Sequence, residues 1–326
     1  MTQPKSIEID LTPPQLSAVR ALLRGNTGQL SPFNVALTPP AQPLPPQHLA
    51  AAGLCDAAGN VQPGFAPLVH LLAHPLGMVR LLFTTEVGDG YESITYFDGQ
   101  GRRASLANER GLTHLRLPDE APATLELVAQ HFGDSVLKSC DLDIELHPDL
   151  ALVLAVAVDA QRRAFFQGLA SGTEFGPVGL DPGYVTRALS AIPASTQWLT
   201  RVLAELLDRP RGIDPAQIPN AVQWLTQAGL LQPSGQVLVL APSVLALSRR
   251  MLVFDRFLSV TACRLTPSDG LQVTDMTCVQ AGVHDVLMVD SGSGMVHLKT
   301  TCSSYVLSLL THLLMGGFLA PARTAA

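Results

Sequence analysis

Charge is scarce in this chain. Of 326 residues only 15% are Asp, Glu, Lys or Arg, well below the roughly one quarter usual in soluble proteins. Basic residues in particular never gather: the tightest groups are the pairs Arg102–Arg103, Arg162–Arg163 and Arg249–Arg250. Nucleic-acid binders usually carry a basic stripe. A net charge of −6 and a pI near 5.8 argue against one here. Long apolar runs are missing too. The longest unbroken one, Leu150–Val158, is too short to span a bilayer. Val306–Ala320 is interrupted by Thr311, His312 and a glycine pair, and reads as a buried helix with its exit. Met1–Asp10 is polar and acidic, without the basic and apolar regions of a signal peptide, so a cytoplasmic protein is expected. The five cysteines, Cys55, Cys140, Cys263, Cys278 and Cys302, are widely spaced and contain no C-x-x-C. That disfavours a zinc site or redox pair. Free thiols serving as small core residues fit better.

Catalytic signatures are also lacking. Gly-x-Ser-x-Gly does not occur, and Ser291-Gly292-Ser293-Gly294 reads as a hairpin turn, not a strand-to-helix elbow. Gly88-Asp89-Gly90 lacks the spacing of a dinucleotide or phosphate loop. His70 and His74 stand four apart on one expected helix, a spacing that can hold a metal. Position 71 is Leu, however, where a metalloprotease needs Glu, so a packing or surface role is the plainer reading. Asp141, Asp143 and Glu145 alternate, which puts them on one face of a strand. They would gather a cation only with further ligands, and a solvated strand face is simpler. Cys302-Ser303-Ser304 opens an expected helix, where a thiolate would be stabilised. A Ser N-cap beside a buried Cys is the simpler alternative. No catalytic, cofactor or metal residue is assigned.

What the chain does have is apolar content and repetition. Hydrophobic residues make up 47% and the mean hydropathy is +0.26, which implies a large core or apolar surface hidden against a partner. Leu49–Val61 and Leu225–Val237 align without a gap at an offset of 176 residues. Leu49/Leu225, Ala52/Ala228, Gly53/Gly229, Leu54/Leu230, Gly59/Gly235 and Val61/Val237 agree. Internal similarity of this kind points to a duplicated unit.

The expected elements follow the same order twice. Thr12 caps a helix that starts at Pro13. A proline-rich connector, Pro39–Pro46, reads as an extended surface segment. Gln47–Leu54 and Phe65–Leu72 look helical. Met78–Val87, Tyr91–Phe97, Arg102–Asn108 and Thr113–Leu117 read as strands, and Pro122–Phe132 as a helix. Later, Asp214 caps a helix at Pro215. Val222–Leu230 and Pro242–Leu252 are helical, with a turn at Pro233–Gly235. Phe257–Thr266, Leu271–Val279, Asp285–Val289 and Met295–Lys299 are strands, and Ser303–Met315 closes as a helix. Pro148–Leu169 and Tyr184–Leu207 add helix between them. The fold class expected is α+β, with two pseudo-symmetric halves. Each half has winged-helix-like helices, an antiparallel β-meander and a closing helix. The expected divisions are 1–146 for the first half, 147–210 for a central helical connection and 211–326 for the second half.

Helix, glycine and turn around Ala52-Gly53-Leu54 and Trp224–Leu231 resemble the approach to a wing. A DNA-reading helix should present several Arg, Lys, Asn or Gln side chains. Phe65–Leu72 has none, and Pro242–Arg250 has only its terminal arginines. Leu11-Thr12-Pro13-Pro14-Gln15-Leu16, Ala52-Gly53-Leu54 with Gly59-x-Val61, and Leu71-Leu72-Ala73-His74-Pro75 running into a strand together resemble the EspG family of ESX (type VII) secretion-associated chaperones. The resemblance implies two pseudo-symmetric halves and a cytoplasmic chaperone or adaptor. Its client would be a secreted protein, helical or a heterodimer. No contact residue carries over from that family. On the residues alone, Leu271 and Val273 of the second meander are the candidate partner-binding positions, with burial in the core as the plainer alternative. A winged-helix transcriptional regulator and, more remotely, a hydrolase using scattered Cys, Ser or His are the competing functions.

Overall fold

Two antiparallel meanders meet edge to edge in the computed structural model of the chain. It describes residues 7–315 except 24–26, 35–48, 51–52, 57, 59, 86–89, 110, 119–120, 134, 137–140, 175, 210–212, 267–269, 283–284 and 293. The Pro39–Pro46 connector, Gly88-Asp89, Cys140, Gly59 and half of the expected Gln47–Leu54 helix lie outside the described residues.

The chain begins with β1 (Ile7–Leu11), α1 (Pro13–Leu22) and α2 (Ala66–Ala73). Then come β2 (Gly77–Thr85), β3 (Gly90–Phe97), β4 (Arg103–Glu109), β5 (Leu112–Leu117) and α3 (Ala121–Phe132). Next are β6 (Asp143–Leu146), α4 (Pro148–Ser171), α5 (Pro182–Ser190), α6 (Leu199–Leu206) and α7 (Ile218–Gln227). A hairpin of β7 (Leu231–Ser234) and β8 (Val237–Leu240) leads to α8 (Pro242–Arg250). The second meander is β9 (Arg256–Thr266), β10 (Gly270–Ala281), β11 (Asp285–Gly292) and β12 (Met295–Thr301), followed by α9 (Ser303–Leu314). The molecule is α+β. Ten strands form one sheet in the order β1-β5-β4-β3-β2-β9-β10-β11-β12-β6. The junction is the antiparallel β2–β9 ladder, from Gly77↔Arg264 to Thr85↔Arg256.

Outward from that junction the two sides read alike. Each meander is closed at its far edge by a strand from earlier in the chain, β1 on β5 and β6 on β12. The two edge pairings set acids opposite basic residues alike. Glu8 and Asp10 stand opposite Arg116 and His114, as Asp143 and Glu145 stand opposite Lys299 and His297. α2 and α8 sit at the 176-residue offset of the sequence repeat.

Local signals explain most boundaries. Thr12 and Gln15 bond reciprocally, Gln15 Oε1 accepting from Thr12 N at 2.8 Å and Thr12 Oγ1 accepting from Gln15 N at 3.4 Å, so the start of α1 is a capping box. β1 itself was not expected as a strand. Its Ile-Glu-Ile-Asp-Leu alternation becomes one because β5 offers a free edge. The expected Tyr184–Leu207 helix is two, α5 and α6, parted around Pro193, whose ring and missing N–H stop a helix. The Pro233–Gly235 turn is the tip of the β7–β8 hairpin, and Leu180 bridges to Leu238 beside it. Cys302, and not a serine, occupies the N-cap of α9. Its thiol makes no capping bond, while Ser303 Oγ accepts from Ser135 N at 2.8 Å.

Helices cover both faces of the sheet. On the front face, α1 and α2 pack on Tyr96, Leu106 and Leu115. There α4 to α8 pack on Val279, Leu287, Val289, Val296 and Leu298. The Leu150–Val158 run lies in α4, buried from Ala151 to Arg162, as a helix apolar all round must be. On the back, α3 and α9 cover Val79, Leu81 and Phe83 together with Leu258, Val260 and Met276, a core shared by both meanders.

Candidate functional site

A groove runs over the front face between α1 and α6. It consists of two adjoining hollows of about 620 and 470 Å³, with Arg80 lining both. The first is walled by Pro13, Leu16 and Pro32 over Met78, Ile94, Tyr96 and Leu106. The second is walled by Val202, Glu205 and Leu206 over Leu82, Thr84, Ser259, Thr261, Asp275 and Thr277. A clefted apolar surface with a few convergent polar groups is the usual form of a binding site.

Those polar groups form a chain across four strands, β5, β4, β3 and β2. Thr113 Oγ1 donates to Asn108 Oδ1 at 3.0 Å, Asn108 Nδ2 to Glu92 Oε2 at 2.9 Å, and Arg80 Nε to Glu92 Oε1 at 2.6 Å. The register makes this possible, because Thr113 stands opposite Asn108 and Asn108 opposite Glu92. Burial pulls the Glu92 carboxyl up. The bonds from Asn108 and Arg80 and the Arg80 charge outweigh it and hold the group below the usual carboxylate range. Glu92 is therefore an anion held by donors, poorly suited to act as a general base near neutral pH. The signal for this network in the sequence is charge at mid-strand, in Met78-Val79-Arg80-Leu81 and Tyr91-Glu92-Ser93-Ile94. Neither charge lies in a catalytic spacing, so sequence alone does not join them into a site.

Beyond the second hollow, β10 outruns its neighbour. It pairs with β9 from Gly270 to Gln280, but with β11 only from Met276, opposite Asp290, to Ala281. Along Gly270–Asp275 no strand among the described residues is paired on the β11 side. Leu271 and Val273 sit on this overhang, 38% and 48% exposed, so neither is core. Opposite them on β9 are Leu265 and Cys263.

The other singled-out residues are dispersed. His74 is the C-cap of α2, and its ring lies 5.5 Å from that of His70 at a tilt of 58°. β6 begins at Asp143, with Asp141 just before it, and all three acids of this segment are exposed. His297 Nε2 and Lys299 Nζ reach Asp143 at 2.5 and 3.0 Å. The His297 bond, opposed by partial burial and helped by Lys299, keeps its carboxyl below the usual range. Among the described residues no group of three His, Cys, Asp or Glu is arranged to hold a metal. Burial pushes the thiols of Cys55 and Cys263 up, and that of Cys278 up to about 12. A nucleophilic cysteine requires the opposite shift. Ser291-Gly292 ends β11, and Gly292 pairs with Met295 across the hairpin. α7, which leads into the β7–β8 hairpin, exposes Asn220, Gln223, Trp224 and Gln227 and contains no Lys or Arg.

No protein-family model matches the chain, and no curated protein matches it.

Proposed function

We propose that this chain is a non-enzymatic protein-binding chaperone or adaptor of the cytoplasm, serving a secreted client. The EspG resemblance implies this reading. The observation that carries it is the overhang of β10, where two large apolar side chains are partly exposed next to a mixed apolar and polar groove. Exposed apolar surface at a strand end, rimmed by polar groups, is a mark of protein interaction. We infer further that the repeated order of strands and the matching edge pairings record duplication of one unit. The client in this reading is a small helical protein or a heterodimer of such proteins. No described helix is long and apolar enough to cross a membrane.

The test is a tagged pull-down from the native host after nuclease treatment, with partners identified by mass spectrometry. A stoichiometric secreted protein is expected. A preparation without any protein partner would overturn the reading. The second reading, a winged-helix regulator, is favoured by one feature, the α7 helix followed by the β7–β8 hairpin with Leu180 alongside. It requires DNA binding that weakens steeply with salt, and the lack of cations on α7 speaks against it.

A further inference from the structure

We propose that the open edge of β10, Leu271–Asp275, takes up an extended segment of a protein partner as an added strand, with a Lys or Arg of that segment beside Asp290. The proposal rests on the protein-binding reading and names the chemistry of what is bound.

Proteins guard free sheet edges, chiefly with charge. The two outer strands here conform. β1 carries Glu8 and Asp10, and β6 carries Asp143 and Glu145. The β10 overhang conforms less, since its one charge, Asp275, stands at the inner end and Leu271-Gln272-Val273-Thr274 carries none. Its backbone is already extended and held in register by β9, from Leu271↔Leu265 to Thr274↔Ala262. On the side away from β9, alternate N–H and C=O groups therefore face outward along a preformed template. An extended peptide satisfies such groups by strand addition, and its alternate side chains reach the exposed Leu271 and Val273.

A second observation sets the charge of the occupant. Asp290 is the last residue of β11 to oppose β10, at the point where the strands part. Its Oδ1 is shut off from solvent and has no hydrogen-bond partner among the described residues. A Cβ added at Gly292 would lie 3.8 Å from that oxygen, so it sits toward the diverging end of β11. Burial raises the carboxyl's pKa. His297 opposes this, and the negative charges of Asp275 and Glu145 add to it. A buried acceptor without a donor is costly, and an arriving ammonium or guanidinium supplies the missing charge-assisted bond. The occupant is thus an alternating, mostly uncharged strand with one cation, and an acidic strand is repelled.

The test uses the full chain and a short synthetic peptide of alternating valine and threonine with one central lysine. Its counterpart has glutamate in place of the lysine. Amide hydrogen exchange should slow at Leu271–Asp275 with the lysine peptide, and the glutamate peptide should bind about tenfold more weakly. Val273→Glu gives this edge the guard the other two have, at an exposed position that leaves packing intact, and should abolish the protection. Asp290→Asn should remove the preference for lysine. Protection elsewhere, or unchanged binding by Val273→Glu, overturns the proposal. So does a concentration-dependent dimer lost in that variant, which would assign the edge to a second copy of this chain. A client captured from the host and retained by Val273→Glu sinks the strand-edge proposal alone. Peptide binding as expected with no host client sinks the chaperone reading alone.

Discussion

Asp159 is a buried carboxylate and Asp290 a half-buried one with its Oδ1 shut off from solvent, and their surroundings give them opposite roles. Asp159 Oδ2 accepts from Thr200 N at 2.8 Å and Thr200 Oγ1 at 2.7 Å, while Oδ1 accepts from Leu199 N at 3.0 Å and Arg162 Nη1 at 2.9 Å. It thereby supplies the first N–H groups of α6 with the acceptor that a helix N-terminus lacks. Arg162 in turn donates to Leu252 O at 2.8 Å and lies 4.0 Å over the Phe254 ring. One carboxylate thus ties α4, α6 and the chain before β9 together. Asp159→Ala strands the Arg162 charge and two helix donors. It should cost about 3–5 kcal/mol, read as a lower urea midpoint with an unchanged slope. Among the described residues Asp290 Oδ1 has no such donor. Its folded pKa is raised, so between the unfolded value of about 3.9 and the folded value the native state holds a proton that the unfolded chain has released. Its contribution to stability is therefore fully present below that window, falls as pH rises through it, and stays lost above it. Asp290→Asn should match the wild type at acid pH and exceed it near neutrality. Urea midpoints taken across pH decide this, and a variant less stable than wild type at neutral pH would refute it. The special standing of neither residue was legible in the sequence, because Asp159 in Val156-Ala157-Val158-Asp159 and Asp290 in Leu287-Met288-Val289-Asp290 each follow an ordinary apolar run.

Elements were more readable than residues. The repeat that aligns Gly53 with Gly229 has a conformational cause, since their φ angles are +71° and +70°. Each ends a helical turn, Gly53 N bonding to Ala50 O and Gly229 N to Thr226 O. Only glycine enters that left-handed region without strain. Gly229→Ala should lower stability by roughly 1–2 kcal/mol without altering the secondary structure, measurable as a shift in thermal midpoint with the circular dichroism spectrum unchanged. Meander strands and their closing helices were visible because alternation and 3.6-residue periodicity are local properties. The edge strands β1 and β7 were not. Four or five residues of alternation become a strand only when a partner edge accepts their hydrogen bonds, and that partner, for β1, lies more than a hundred positions away at Ile7↔Leu117.

At the scale of the whole molecule the joined sheet makes the two meanders interdependent. Nine residue pairs hold β2 to β9, from Gly77↔Arg264 to Thr85↔Arg256, and Val79, Leu81 and Phe83 share one back-face core with Leu258 and Val260. Separating the chain at residue 146 would bare both strand edges and that core. Pieces 1–146 and 147–326, made apart, should self-associate or aggregate, and made together should recover a one-to-one complex. Ultracentrifugation reports this, and two well-behaved monomers would disprove it. The α+β class, the two meanders, the long apolar helix and the doubled pattern all follow from residue order, since each depends on periodicities and turn residues within a few positions of one another. The fusion of the meanders through β2 and β9, the guarding of the outer edges, the opening of β10 at Asp290 and the exposure of Leu271 and Val273 depend on long-range pairing. Leu271 and Val273 alternate as buried strand residues do. Whether such residues face a core or solvent is settled by what lies across the sheet, and here β11 turns away before it reaches them.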